Sequence, residues 1–217
     1  MRTNAGRSEP WPGLRELDPA AFGSDLDALM RVYQAAMGVA AIQLPGRRAI
    51  MEAHAVNPGF RGFAVTAPSA AATFAPGPTP APLPGSAGPA PCSVVAFAYG
   101  FHGGSGQWWH DLVRSALISR SGRRAATEWL DDSFEVAEVH VHPDYQRHGI
   151  GRRLLYRLTG DRAERTAVLS TMDTNSPARR LYRSLGFTDL LTGYRFSGAP
   201  VPYAVMGAAL PLLTTRS

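Results

Sequence analysis

The strongest constraint on the fold is a regular alternation of strand-like and helix-like segments in the second half of the sequence. Apolar residues at three- and four-residue steps predict helices at 150–159 and after Pro177, where Gly186 is placed to end the helix. Apolar and alternating runs predict four strands, at 134–141, 166–171, 187–196 and 201–210. Strands that alternate with helices in this way predict an α/β or α+β fold with a central sheet.

The first 66 residues carry further helix and strand patterns. Apolar side chains recur at helical spacing after Ser24, a candidate N-cap, at Leu26, Leu29, Met30, Tyr33 and Met37. A second helix is predicted over about 46–55, and the sequence GFAVT at 62–66 predicts a short strand. This part of the chain therefore adds two helices and a strand to the pattern.

Residues 67–91 interrupt the pattern with an unusual composition. Eight of these 25 residues are proline, eight are alanine and none is charged. Proline lacks the backbone N–H and fixes φ, so we expect a flexible or polyproline-II insertion that joins neither a sheet nor a helix. Strand-like sequences at 62–66 and 92–101 flank the segment. They favour a hairpin with a long loop over a boundary between two domains.

Residues 103–133 carry a turn and further helical patterns. The sequence HGGSGQ at 102–107 ends the preceding strand, and apolar residues then recur at helical spacing from Trp109 onward. Another short helix is predicted at 124–131. The tryptophan pair that follows the glycine-rich turn is suited either to a substrate pocket or to core packing, and the sequence leaves both interpretations open.

The composition of the 217-residue chain excludes several classes of protein. All 22 basic residues are arginine, and nine of them lie in 147–183 with only three acids, so the rest of the chain is close to neutral. A basic charge this local indicates a local anionic ligand and not a surface that coats nucleic acid. No apolar run approaches the roughly 20 residues that cross a bilayer, and the single cysteine, Cys92, excludes an intramolecular disulfide. We expect a cytoplasmic protein without nucleic-acid or membrane partners.

The sequence HPDYQRHGIGRR at 142–153 predicts an anion site between a strand and a helix. Gly149 and Gly151 allow the backbone to approach a ligand closely, and the start of a helix offers unpaired amides and a favourable dipole. Three arginines of the stretch add full positive charges. A P-loop needs a lysine, and the dinucleotide-binding fingerprint needs a third glycine that is absent here, so ATP and NAD are disfavoured. The predicted ligand is another phosphate or pyrophosphate group.

Two motifs resemble those of the GNAT superfamily of N-acetyltransferases. The sequence QRHGIG at 146–151 is similar to the Q/R-x-x-G-x-G/A loop of that family, and NSPARRLYRSLGF at 175–187 is similar to its second motif. The resemblance is strong over 134–210 and weaker over 14–66. Arg147 departs from the common pattern, since many members have glycine there.

The resemblance implies a fold for the chain. It implies one domain over 1–217, with flexible and helical insertions at 67–91 and 103–133. Its central sheet would be mixed and largely antiparallel, flanked by helices and splayed between the fourth and fifth strands. The insertion at 103–133 takes the place of what is often a short hairpin.

The resemblance also implies acetyl-CoA as co-substrate and an amine as acceptor, with direct transfer between them. The pyrophosphate of acetyl-CoA would lie on the loop formed by Gln146, Arg147, His148, Gly149, Ile150, Gly151 and Arg152. The pantetheine arm would run along the backbone of Val139, His140 and Val141. Asn175 would help to hold that arm, and Tyr182 would act as general acid near the thioester sulfur.

The chemistry of amine acylation points to further residues. An alkylamine with a pKa of about 10.4 must lose a proton before it reacts, so a base or water relay helps. Strict alternation along the strand places five side chains on one face, those of Phe134, Val136, Glu138, His140 and His142. Glu138 is the first candidate for the base and His140 the second. A simple ion pair with an arginine is the alternative for Glu138.

Two functions from different classes remain compatible with these residues. The first is an acyl-CoA-dependent N-acetyltransferase that acts on a small molecule, a peptide or a protein. The alternative is a non-catalytic acyl-CoA-binding or protein-interaction module on the same scaffold. No metal is expected, because the histidines have no Cys, Asp or Glu partners at typical ligand spacing. The acceptor and the oligomeric state, including a homodimer, are left open.

Overall fold

A computed structural model describes residues 13–68 and 92–213, and its elements alternate as the sequence predicts. The elements are β1 (Leu14–Leu17), α1 (Pro19–Met37), α2 (Leu44–His54), β2 (Arg61–Pro68), β3 (Cys92–His102), α3 (Trp108–Leu130), β4 (Ser133–Val141), α4 (Ile150–Thr159), β5 (Thr166–Met172), α5 (Pro177–Ser184), β6 (Thr188–Tyr194) and β7 (Tyr203–Ala209). The short strand β1 has no counterpart among the residue patterns. None of the helices in this part of the chain is long and apolar enough to cross a membrane.

Seven strands of the described residues form one sheet in the order β1-β2-β3-β4-β5-β7-β6. Every neighbouring pair is antiparallel except β4 and β5, which run parallel. The mixed, largely antiparallel sheet flanked by helices is therefore confirmed.

The pairing of β2 with β3 confirms the predicted hairpin across the proline-rich segment. The pairing extends further than expected, because Ala67 and Pro68 lie opposite Ser93 and Cys92. The expectation that 67–91 joins no sheet is therefore wrong for its first two residues. Proline is tolerated at this position because it is the last residue of the strand. The remainder of the predicted flexible insertion, residues 69–91, lies outside the described residues.

Helix α1 begins before the predicted N-cap. The carboxylate of Asp18 accepts a hydrogen bond from the N–H of Ala21 at 2.7 Å, and Pro19 occupies the first helical position. Ser24 lies inside the helix, where its hydroxyl donates to the carbonyl of Ala20 at 3.0 Å. The prediction of Ser24 as the cap is therefore wrong, because a stronger acceptor precedes it in the chain.

We expect the variant Asp18→Ala to lose about 1 kcal/mol of unfolding free energy, since the N–H of Ala21 loses its acceptor. Urea denaturation followed by circular dichroism measures this change. Ser24→Ala is the matched control and should change the unfolding free energy by less than about 0.5 kcal/mol. Equal losses in the two variants would contradict the assignment of the cap.

Helices cover both faces of the sheet. Helices α4 and α5 pack on one face, around a cluster that includes Leu154 and Leu158. Helices α1 and α2 pack on the opposite face over the aromatic side chains of β3, and α3 packs on that same opposite face over β5 and β7. Adjacent residues of β5 show this division, since Ala167 faces the first cluster and Val168 faces α3.

The insertion at 103–133 is helical, as predicted. Its helix α3 is interrupted at Gly122, whose φ of 86° and ψ of 165° are not helical. The two helices predicted from the sequence are therefore the two halves of α3. Its apolar residues Val113, Leu117, Ala126 and Leu130 are buried against the sheet.

Candidate functional site

An opening lies between β4 and β5 beyond the short stretch where the two strands pair. The two strands pair only where Ser133–Glu135 meet Thr166–Val168. Beyond those residues β4 continues to Val141 and β5 to Met172 without further pairing between them. The backbone edge of β4 that faces this opening is therefore free to pair with an extended ligand.

A β-bulge in β4 changes which side chains share a face. Tyr99 of β3 lies opposite Glu138, but the next residue, Gly100, lies opposite Val136, so Ala137 is an extra residue. Phe134 and Val136 consequently belong to the core under α4 and α5. The prediction that they share a face with Glu138 and His140 is wrong, because strict alternation fails at a bulge.

Glu138 and His140 form a polar pair on the face covered by α1 and α2. The Glu138 Oε1 accepts a hydrogen bond from the Nη1 of Arg47 at 2.8 Å, and its Oε2 lies in a short hydrogen bond with the His140 Nε2. The His140 ring packs against the rings of Tyr33 and Phe97, with centroids 5.1 and 5.3 Å away. The two predicted base candidates are therefore in direct contact.

The electrostatic environment keeps Glu138 ionised. Burial alone would raise the pKa of its carboxyl, but the charge and hydrogen bond of His140, together with Arg47, outweigh burial and hold the pKa below its ordinary value. The ion pair with an arginine, which was the alternative for Glu138, is present.

Glu135 is a second carboxyl in this region that the sequence reasoning missed. It is the last β4 residue to pair with β5, so it lies at the narrow end of the opening. Its side chain is buried, and its Oε2 has no hydrogen-bond partner. Burial raises the pKa of Glu135 to about 8. The sequence does show an acidic residue inside the predicted strand at 134–141, which could have marked Glu135 as a candidate. That its Oε2 lacks a hydrogen-bond partner is visible only in the tertiary structure.

The glycine-containing loop leads directly into α4. Gly149 is the N-cap with a φ of 78°, and Arg147 also has a positive φ, of 66°. A Cβ atom at Gly149 would meet open space, so the backbone there is accessible to a ligand. The first-turn amides of α4 have no intrahelical acceptors, as at any helix start. The predicted anion loop therefore has the geometry that anion binding requires.

Arg152 provides a half-buried cationic group at the start of α4. Its Nη2 donates to the Ser184 Oγ at 2.8 Å, while its Nη1 is buried without a hydrogen-bond partner. The Gln146 side chain turns back and donates to the carbonyl of Val141 at 3.1 Å, which ties the loop to the end of β4. A buried guanidinium nitrogen without an acceptor fits an anion bound at the loop.

Tyr182 lies in α5, within the core on the α4 face, and its ring packs against Phe187. Burial raises the pKa of its hydroxyl above the ordinary value, and the charge of Glu138 raises it further. Tyr182 therefore stays protonated at neutral pH.

The turn between β5 and α5 is fixed by ion pairs. Arg179 is buried and binds both Asp173 and Asp189, and Asp173 also accepts from the N–H of Gly193 at 2.7 Å. Asn175 lies on this turn, where its backbone carbonyl accepts from Arg180 at 2.7 Å. The predicted cofactor-arm residue therefore lies beyond the end of β5, on the far side of the opening from Val139–Val141.

The N-terminal end of α3 faces the same opening from the β5 side. The indole N–H of Trp109 donates to the Oγ of Ser170 at 3.1 Å, and Trp109 packs against the α3 cluster. Trp108 is 63% exposed, with its ring 5.9 Å from that of Phe196. Core packing therefore accounts for Trp109, whereas Trp108 presents an aromatic surface to solvent.

Within the described residues, no group of three or more His, Cys, Asp and Glu side chains is arranged to hold a metal ion. His140 is occupied by Glu138 and by aromatic neighbours. His142 lies at the start of the loop, with its Nδ1 3.6 Å from a carboxylate oxygen of Asp144. Both histidines therefore have partners within the protein.

Comparison with known proteins connects this geometry to one family. Residues 114–189 match the family model for the acetyltransferase (GNAT) domain. A GCN5-like protein acetyltransferase of Mycobacterium tuberculosis is 42% identical over 135 residues, which cover 60% of this chain and 65% of that protein. The chain therefore spans slightly less than two thirds of that relative.

Two solved structures share the fold. The ribosomal-protein-S18-alanine N-acetyltransferase of Escherichia coli has a TM-score of 0.54 at 18% identity, covering 94% of this chain and 97% of that one. The structure of yncA from Salmonella typhimurium with its cofactor acetyl-CoA has a TM-score of 0.51 at 21% identity, covering 94% and 96%.

Proposed function

We propose that this chain, which belongs to the GNAT superfamily of N-acetyltransferases, transfers an acetyl group from acetyl-CoA directly to a primary amine. The observation that carries the proposal is the opening between β4 and β5, with an anion loop at one end and acidic side chains along β4. Acetyl-CoA would supply the acetyl group as an activated thioester. The amine would belong to a small molecule, a peptide or a protein.

The loop from Gln146 to Arg152 is the proposed site for the pyrophosphate. Three features support the fit: the accessible backbone at Gly149, the free amides of the first turn of α4, and the buried Nη1 of Arg152 that lacks an acceptor. The backbone of Val139, His140 and Val141, along the open edge of β4, would pair with the pantetheine arm. Asn175, beyond the end of β5, would hold that arm from the opposite side.

The acidic residues of β4 would prepare the acceptor. Glu138, kept ionised by His140 and Arg47, is suited to bind an ammonium group. Glu135 is better suited to remove the proton, directly or through water, because a base with a pKa near the working pH is the most effective. In this proposal Glu135 is the base that accepts the proton of the amine. Glu138 and His140, the two residues predicted as the base from the sequence, position the amine instead.

Tyr182 would assist the departure of the thiolate. Its hydroxyl is protonated at neutral pH, because burial and, to a lesser extent, the charge of Glu138 raise its pKa. A hydrogen bond donated to the sulfur would stabilise the negative charge that develops there. The aromatic surface at Trp108, from the inserted helix α3, would contact the body of the acceptor.

The similar proteins suggest the kind of acceptor. One relative is described as a protein acetyltransferase, and another, 36% identical over 78 residues, as a ribosomal protein bS18 alanine N-acetyltransferase. A protein or peptide amine is therefore a natural first candidate beside small amines. The non-catalytic alternative keeps the acetyl-CoA site and predicts no consumption of acetyl-CoA with any amine.

We expect acetyl-CoA at a hundred times its dissociation constant to stabilise the protein by about 2.7 kcal/mol, which is roughly 5–10 °C in melting temperature. The variant Gly149→Glu should lose this shift, because it places a carboxylate in the anion loop at a position with a φ of 78°. Differential scanning fluorimetry measures both proteins.

Gly38→Glu is the matched control, since Gly38 also has a left-handed φ, of 64°, and open space around its Cβ position. It ends α1, on the face of the sheet opposite α4, and should keep the acetyl-CoA shift. An unshifted wild-type protein would contradict acetyl-CoA binding. A shift in the wild type without thiol release from any of a broad panel of amines would favour the non-catalytic alternative.

A further inference from the structure

Arg47 occupies an unusual position at the proposed acceptor site. It lies in the first turn of α2, and its guanidinium reaches the Glu138 Oε1 at 2.8 Å. Its Cζ lies 5.2 Å from the centre of the Tyr33 ring, which packs in a T-shaped arrangement with the ring of His140. One third of the Arg47 side chain is exposed, compared with 11% for Glu138. The guanidinium therefore covers the carboxylate from the solvent side.

Two basic side chains share the Glu138 carboxylate, since Arg47 bonds to its Oε1 and His140 to its Oε2. Burial outweighs the neighbouring charges and lowers the pKa of His54, and burial raises the pKa of Tyr99, so both side chains are neutral near pH 7. Arg47 is therefore the counter-ion of Glu138 toward the solvent. A guanidinium has five N–H donors, and the exposed part of Arg47 leaves donors available to a second anion.

The Arg47–Glu138 ion pair favours some acceptors over others, because an acceptor must replace the contacts that it breaks. An acceptor with only a positive charge would take Glu138 away from Arg47 and leave a half-buried guanidinium beside another cation. An acceptor that also carries a carboxylate would exchange one ion pair for two, with its ammonium on Glu138 and its carboxylate on Arg47. A planar guanidinium binds a carboxylate with two parallel hydrogen bonds, which adds geometric selectivity.

We infer that Arg47 is a specificity residue that binds a carboxylate close to the reacting amine of the acceptor, a conclusion that rests on the proposed acetyltransferase function. The acceptor is then an amine with a neighbouring carboxylate. Two sources supply this chemistry: a free amino acid, or a peptide whose first residue is acidic. Simple alkylamines and lysine side chains without such a group are disfavoured.

The test compares acceptors that differ only in the carboxylate. One arm uses free amino acids and their amides, and the other uses short peptides that begin with Asp or with Asn. Thiol release from acetyl-CoA gives kcat and KM for each acceptor. We expect at least one carboxylate acceptor to exceed its neutral analogue about tenfold or more in kcat/KM, and the arm that shows this identifies the source.

Variants at two neighbouring arginines separate specificity from stability. Arg47→Gln should raise KM for the carboxylate acceptor about tenfold or more with a smaller change in kcat, and should leave neutral amines equal or better substrates, because Glu138 is freed. Arg47→Lys should restore part of the preference through its charge. Arg48→Gln is the matched control, since Arg48 pairs with Asp27 and Glu52 instead of Glu138. It should keep the wild-type preference.

The outcomes distinguish failure of the role of Arg47 from failure of the acetyltransferase function. Equal kcat/KM for carboxylate and neutral acceptors in the wild type, or an unchanged preference in Arg47→Gln, overturns the role of Arg47 and leaves the acetyltransferase function in place. If no amine of either arm or of the broad panel is acetylated, the acetyltransferase function fails, and the role of Arg47 fails with it.

Discussion

The variant Tyr182→Phe is expected to lose about 100-fold in kcat while it keeps its affinity for acetyl-CoA. Loss of one hydrogen-bond donor that acts on a developing negative charge typically costs this much. For an ordinary tyrosine with a pKa near 10, full proton transfer to a thiolate with a pKa of about 8.5 costs roughly 2 kcal/mol. Burial raises the pKa of Tyr182 and increases that cost. Its main contribution is therefore the hydrogen bond that it donates. Steady-state thiol release at saturating acetyl-CoA measures kcat.

A second tyrosine provides the matched control for this variant. Tyr156 lies in α4, and its hydroxyl donates to the carbonyl of Leu213 at 2.7 Å. Tyr156→Phe should lose about 1 kcal/mol of stability and keep kcat. In Tyr182→Phe the ring keeps its contact with Phe187, so the fold should be retained. A variant with wild-type kcat and weakened acetyl-CoA binding would show that Tyr182 binds the co-substrate and does not assist the leaving group.

The parts of the fold that follow local rules could be predicted from the sequence. Helix α4 spans the predicted 150–159 without change, because its apolar stripe and the preceding glycines act within a few residues of each other. Helix α5 begins at Pro177, as predicted, since proline is favoured in the first turn and Ser176 caps the helix. The glycine-containing loop before α4 could be predicted as well, because its glycines and arginines lie within a few residues of each other.

The parts that depend on neighbouring elements could not be predicted in this way. The bulge at Ala137 follows from the register between β3 and β4, and it reverses the face assigned to Phe134 and Val136. The Arg47–Glu138 pair joins residues 91 positions apart. The missing hydrogen-bond partner of Glu135 depends on what packs around it and not on its own sequence context. Local patterns predicted which segments form the candidate site, whereas the pairing of its charged side chains required the tertiary structure.

Glu135 should make the stability of the protein fall as pH rises. Burial raises the pKa of Glu135 from 4.5 to about 8, so between these values the folded protein holds a proton that the unfolded chain releases. Stability then decreases by about 1.4 kcal/mol per pH unit across this window, relative to a chain without the group. In Glu135→Gln we expect the unfolding free energy, relative to wild type, to rise with this slope from pH 5 to pH 8, as measured by urea denaturation.

Glu164→Gln is the matched control, because it replaces a buried carboxyl with the opposite behaviour. Burial would raise the pKa of Glu164, but hydrogen bonds and charge from Arg162 outweigh burial and lower it. The ionised Glu164 therefore stabilises the fold above its ordinary pKa, and this stabilisation is lost as pH falls. Glu164→Gln should accordingly reduce the unfolding free energy at pH 7 and should not raise it toward pH 8. Parallel pH profiles for wild type and Glu135→Gln would contradict the raised pKa.

The same Glu135→Gln variant tests whether the buried carboxyl accepts the proton of the amine. Removal of a general base typically costs about 100-fold or more, so kcat/KM should fall by this factor while acetyl-CoA still raises the melting temperature. The wild-type profile of kcat/KM should rise with pH toward about 8, where Glu135 becomes ionised, and the variant should lack this limb. Glu164→Gln should keep it. A variant with the pH-dependent gain in stability but wild-type kcat/KM would separate the two properties, and the base would then be Glu138 with His140, which hold each other in place at the end of the same strand.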